Sequence, residues 1–135
     1  MTQTAAVHPF AEAAALGSLP TWNLADLYPD RASAELKADL AQAEGRAAAF
    51  YERHAGKVAG LDGAGLGQAI AEFEAIDETL SRIMSYASLV YSGDMADPAN
   101  GRFFQAMQEK VTVISSRLIF FSLEINKIDD AALAA

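Results

Sequence analysis

Apolar positions recur at alternating steps of three and four through most of the chain, the signature of one face of an α-helix. Over residues 33–54 the stripe is Leu36, Leu40, Ala43, Ala47 and Phe50, with Ser33 placed to cap the first turn. Over residues 63–92 it is Leu66, Ile70, Phe73, Ile76, Leu80, Ile83, Ala87 and Val90, with Asp62 as the cap and Gly93 as the stop. Asp97-Pro98 then supplies a cap and a proline suited to the first helical position. A third helix over 98–127 follows. Phe104, Val111, Leu118 and Ile125 recur every seven residues in it, and so do Met107, Ile114, Phe121 and Ile128. That double series spans roughly 25 residues, or about 37 Å of helix.

Two long helices joined by a short turn must lie antiparallel, and the first helix packs across them. No strand signal competes, because the β-branched and aromatic runs VTVI and LIFF fall inside the helical period. The fold class read from the sequence is all-α: a bundle of long antiparallel helices preceded by an extended N-terminal segment. Gly56, Gly60, Gly63, Gly65 and Gly67 mark a loop between the first two helices. Residues 1–20 read as a mobile tail with one helical turn around Ala11–Leu16, and the helical domain occupies 21–135. Trp22, Leu24, Leu27 and Tyr28 cluster ahead of Pro29 and are expected to dock on the helices.

The third helix is more apolar than one stripe requires. Phe103, Val113, Ile119, Phe120 and Leu123 lie outside the heptad series. Adjacent residues diverge by about 100° on a helix, so Phe120 and Phe121 are not expected to share a neighbour. Either this helix is central or one of its faces is left for a partner. The final KIDDAALAA reads as the start of a further helix capped by Asp129, which favours the partner.

Composition fits a single globular domain, with 52% hydrophobic and 21% charged residues. The formal charge of −8 argues against nucleic acid as a partner, since phosphates would be repelled. The acidic excess gathers in residues 61–97. There Asp62, Glu72, Glu74, Asp77, Glu78, Asp94 and Asp97 face a single cation, Arg82. A solvated helix face accounts for this, and a patch for basic peptides is the sharper alternative. The chain has no cysteine, no secretory pattern and no stretch apolar enough to span a membrane, so a cytoplasmic location is expected.

Candidate chemistry is sparse. A zinc site commonly needs three ligands, often two histidines on one helix face, and the two histidines here, His8 and His54, are far apart. Glu52 and His54 have the wrong spacing for a di-iron bundle, while Glu74 and Glu78 share a helix face without a histidine partner. No G-x-S-x-G elbow occurs, and GAGLG lacks both a preceding strand and a P-loop lysine. No catalytic, metal or cofactor-binding residue is assigned.

Three stretches nevertheless resemble one family. WNLADLYP resembles the opening Trp-Asx-Leu-x-Asp-Leu-Tyr-Pro of oligoendopeptidase F-like enzymes. SYASLVYSGDMADP, residues 85–98, is similar to their Ser-Tyr-Ala-x-Leu-x-Tyr stretch and Asp-Pro turn, and SRLIFFSLEI, residues 116–125, to their Leu-x-Phe-Phe-x-Leu-Glu segment. The three follow the family's order and cover roughly residues 21–130. The resemblance implies the N-terminal helical domain of a cytoplasmic zinc endopeptidase acting on short peptides, in which this part walls the substrate channel. It also implies that the zinc ligands, a His-Glu-x-x-His helix and a later Glu, lie in a catalytic domain of the same polypeptide beyond this region. None of those positions exists in this chain.

Two readings thus leave the sequence: a non-catalytic channel-wall domain awaiting its catalytic domain, and a stand-alone helical interaction module. Both expect exposed apolar helix faces and self-association of the chain.

Overall fold

The computed structural model describes residues 20–133. The tail read over residues 1–20 therefore lies outside the described residues except for Pro20, and so do its helical turn around Ala11–Leu16 and His8. The described residues are helical and contain no strand. Helix α1 runs Ala34–His54, followed by a 3-10 turn at Val58–Gly60. Helix α2 runs Gly63–Gly93, α3 Pro98–Ser116, α4 Ile119–Ile125 and α5 Asp130–Leu133.

The three helix starts are set by the side chains the sequence places there. Ser33 Oγ accepts from the Leu36 amide at 3.3 Å, Asp62 Oδ1 from Gly65 at 2.7 Å and Asp97 Oδ1 from Ala99 at 2.8 Å. Each satisfies one of the amides that a helix N-terminus leaves without an intrahelical partner. Gly63, Gly65 and Gly67 lie inside the first turns of α2, not in a loop as the sequence suggested. The cap gives the reason at Gly65, where a Cβ would stand 3.0 Å from the Asp62 carboxylate oxygen.

Cross-helix pairs fix an up-down-up bundle. Arg53 pairs with Glu72 and Asp39 with Arg82, so α2 runs antiparallel to α1. Ile76 and Leu80 cluster with Ile114 and Leu118, while Ile83 and Tyr86 further along α2 cluster with Met107 and Phe103, so α3 runs antiparallel to α2. The long α2 sits against both other helices. Its Ile76, Leu80, Ile83, Tyr86 and Ala87 are buried, and they join two apolar clusters. Phe50, fully buried, centres the first cluster, with ring centroids 5.0 Å from Phe121, 5.8 Å from Phe120 and 6.3 Å from Phe73.

Both adjacent phenylalanines therefore reach Phe50, contrary to the expectation from the helical wheel. The two rings flank it: Phe120 continues to Tyr51 at 5.2 Å and Phe121 to Phe73 at 5.3 Å. The long third helix is also interrupted. Arg117 and Leu118 donate to Ile114 and Ser115, three residues back, and Ser116 Oγ bonds the Val113 carbonyl at 2.7 Å. A serine hydroxyl that takes a helix carbonyl favours this local tightening. The heptad stripe survives it, since Met107, Ile114, Leu118 and Phe121 are all buried across the break.

Helix α4 is tied to the α1–α2 connection by one carboxylate. Gly56 takes a left-handed φ of 75°, which glycine adopts without penalty. The Gly56 amide donates to Glu124 Oε1 at 2.7 Å and the Val58 amide to Glu124 Oε2 at 3.2 Å. Glu124→Ala is expected to lower stability by about 1–3 kcal/mol. Urea unfolding followed by circular dichroism checks this, and the loss should appear as a lower midpoint with helix content kept at low denaturant.

Candidate functional site

Residues with chemical potential are held in structural pairs. His54 is buried at the C-terminal end of α1, with its ring 4.7 Å from that of Phe50 and Nε2 3.9 Å from Glu72 Oε2. The same Glu72 oxygen receives Arg53 at 2.5 Å. Glu52, Glu74 and Glu78 are exposed, so neither Glu52 with His54 nor Glu74 with Glu78 forms a buried pair. Among the described residues, no three histidine or carboxylate side chains come together as metal ligands.

The densest polar cluster joins the N-terminal segment to the bundle. Tyr28, only 1% exposed, donates its hydroxyl proton to Asp39 Oδ2 at 2.7 Å. Arg82 Nε donates to the same hydroxyl at 3.2 Å, and its guanidinium also pairs with Asp39. Arg82, the lone cation of the acidic stretch, thus bridges α2 to α1 and to the segment before it. Desolvation, reinforced by the bond to Asp39, pushes the Tyr28 phenol up to about 12. Burial, with Asp30 nearby, raises Tyr86 as well, and its ring lies edge-on to Tyr28 at 5.2 Å.

A second tie sits at the α2–α3 turn. Arg31 Nη1 donates to the Asn100 side-chain oxygen at 2.6 Å and lies 3.7 Å from Asp97. Asn100 in turn donates to the Asp94 carbonyl at 3.0 Å. The docking expected for the N-terminal cluster holds for Leu24, Leu27 and Tyr28, which pack on the second core cluster. It does not hold for Trp22, which is 67% exposed. The turn that anchors the segment begins after it, with the Leu27 and Tyr28 amides bonding the Leu24 carbonyl.

What the bundle offers outward is apolar surface. The surplus noted on the third helix divides three ways. Phe103 and Phe120 are absorbed by Tyr86 and by Phe50 and Tyr51. Ile119 and Leu123, at 57% and 56% exposure, stand four residues apart on one face of α4. Val113 instead lines a groove of about 420 Å³ between α1 and α3, shared with Lys37, Leu40, Ala41, Glu44, Glu109, Lys110 and Ile114. The sequence flagged the α3–α4 surplus, but the groove needs the α1–α3 packing and had no signal of its own.

The fold and these surfaces define an all-α three-helix bundle with two outward apolar faces. No helix among the described residues is long and apolar enough to cross a membrane. Comparison with protein-family models, curated proteins and solved structures found no match.

The Tyr28 cluster carries a pH dependence. The folded-state value lies above the ordinary value of 10, so its stabilisation is complete below pH 10 and is lost as pH rises towards about 12. Tyr28→Phe should flatten the decline in thermal midpoint over that window while lowering stability near neutrality by about 1 kcal/mol. Thermal melts at stepped alkaline pH, wild type against variant, provide the measurement.

Proposed function

We propose that this chain is a non-catalytic N-terminal domain of an oligoendopeptidase F-like zinc endopeptidase, in which it walls the channel that admits short peptides. The observation carrying this reading is where the resembling segments fall. WNLADLYP contributes Tyr28, SYASLVYSGDMADP contributes Tyr86 and the Asp97 cap, and SRLIFFSLEI contributes Phe121 and Glu124. These residues join segments that are distant in sequence: Tyr28 to Asp39 and Arg82, Phe121 to Phe50, and Glu124 to Gly56 and Val58. The resemblance therefore rests on the contacts that define this bundle's shape as well as on composition.

Ile119 and Leu123 on α4 supply an apolar face against which a catalytic domain of the same polypeptide could pack. The stand-alone interaction module is the second reading, favoured by the α1–α3 groove.

Sequencing the source reading frame past the Ala135 codon separates the two. A downstream His-Glu-x-x-His followed by a helical Glu is the expected finding, and an immediate stop codon overturns the peptidase reading. The purified 135-residue chain is expected to bind no stoichiometric zinc by elemental analysis and to leave fluorogenic peptides uncut. Zinc-dependent turnover by chain free of contaminating protease would refute the non-catalytic assignment.

A further inference from the structure

We propose that two copies of this chain pair through the α1–α3 groove, their α1 helices antiparallel about a two-fold axis passing between Leu40 and Ala41. The pairing uses a different face from Ile119 and Leu123 and stands independently of the peptidase reading.

Two charges on the rim of the groove, Lys37 and Glu44, have no ion-pair partner among the described residues. Their helical neighbours three and four residues away are Ser33, Ala34, Leu40, Ala41, Ala47 and Ala48, all uncharged. Lys37, Leu40, Ala41 and Glu44 share one helix face, with the apolar pair between the opposite charges. Lys37 stands three residues before Leu40, and Glu44 three residues after Ala41.

A two-fold axis at the midpoint therefore places Lys37 of one copy on Glu44 of the other, and the reverse, each about 5 Å along the helix from the axis. This is the self-complementarity that an isologous interface requires. Ala41 carries no bulk that would keep the helices apart. The same rotation runs α3 antiparallel to its counterpart, because α3 is parallel to α1 across the groove. Glu109 and Lys110 then come within about one helical turn of the oppositely charged residue on the second copy's rim. Val113, 59% exposed in the single chain, then lies inside the pair.

Charge selects the occupant. At a formal charge of −8 the chain repels its copies at long range, so association demands local matching. The groove carries two cations, Lys37 and Lys110, and two anions, Glu44 and Glu109. A uniformly basic or acidic peptide meets repulsion from half of that rim, whereas a second copy meets each charge with its opposite.

Sedimentation equilibrium of the full 135-residue chain over a concentration series tests the pairing. A concentration-dependent dimer is expected. Lys37→Glu and Glu44→Lys should each weaken it by roughly tenfold, since each places two like-charge contacts in one interface. The double variant K37E/E44K should return to within about threefold of wild type, because the charges again match. Both side chains are exposed, and circular dichroism will verify that every variant keeps its helices. A chain that stays monomeric up to a concentration on the order of 1 mM overturns the proposal. So does a dimer indifferent to both single reversals, which would assign association to another face such as Ile119–Leu123. A double variant no stronger than the singles also overturns it.

Discussion

The burial of Phe50 is the contact through which the separate parts of this fold meet. It projects from α1, packs on Phe73 of α2 and receives both Phe120 and Phe121 of α4, and no part of it reaches solvent. An aromatic ring buries a large apolar area and constrains its neighbours through edge-to-face geometry. Here those neighbours come from two helices that are remote from α1 in sequence. Helix lengths, the position of the 3-10 turn and the break between α3 and α4 all serve to bring rings to this point. At the other end of the bundle, Tyr28 and Tyr86 take the corresponding place and bring the segment before α1 into the core.

The architecture was legible in the sequence because its signals are local. Ser33, Asp62 and Asp97 cap helices where a short polar side chain precedes an apolar stripe, and the stripes themselves give the buried residues. The interruption at Arg117–Leu118 was not legible. Apolar periodicity runs through it unbroken, while the deciding groups are a serine hydroxyl and a carbonyl one turn back. Trp22 misled for the opposite reason: its apolar bulk signals burial, but the turn that anchors its segment begins two residues later. The glycines of the first α2 turn were ambiguous, since low helix propensity does not reveal that one of them makes room for a cap.

The outward surfaces divide along the same line. An excess of apolar residues on the third helix could be counted from sequence, but its sorting into absorbed rings, an α4 face and a groove depends on which helices adjoin. Arg82 shows the limit of composition most clearly. As the lone cation in an acidic stretch it suggested only an unbalanced field, yet it links three segments by bonding Tyr28 and pairing with Asp39. The acidic residues around it are mostly exposed, and three of the seven act as caps or ion-pair partners: Asp62 and Asp97 cap helices and Glu72 pairs with Arg53.

The grip of Glu124 on Gly56 and Val58 also has a kinetic meaning. It spans more than sixty residues of chain, whereas α2 and α3 are neighbours across a four-residue connection. Contacts of long sequence separation carry the greater closure entropy, so the α2–α3 hairpin forms early and α4 docks on a bundle already in place. In the native state the order reverses. A seven-residue helix with exposed Ile119 and Leu123 opens at lower free energy than the helices beneath it, so amide hydrogens of α4 exchange ahead of those in α2.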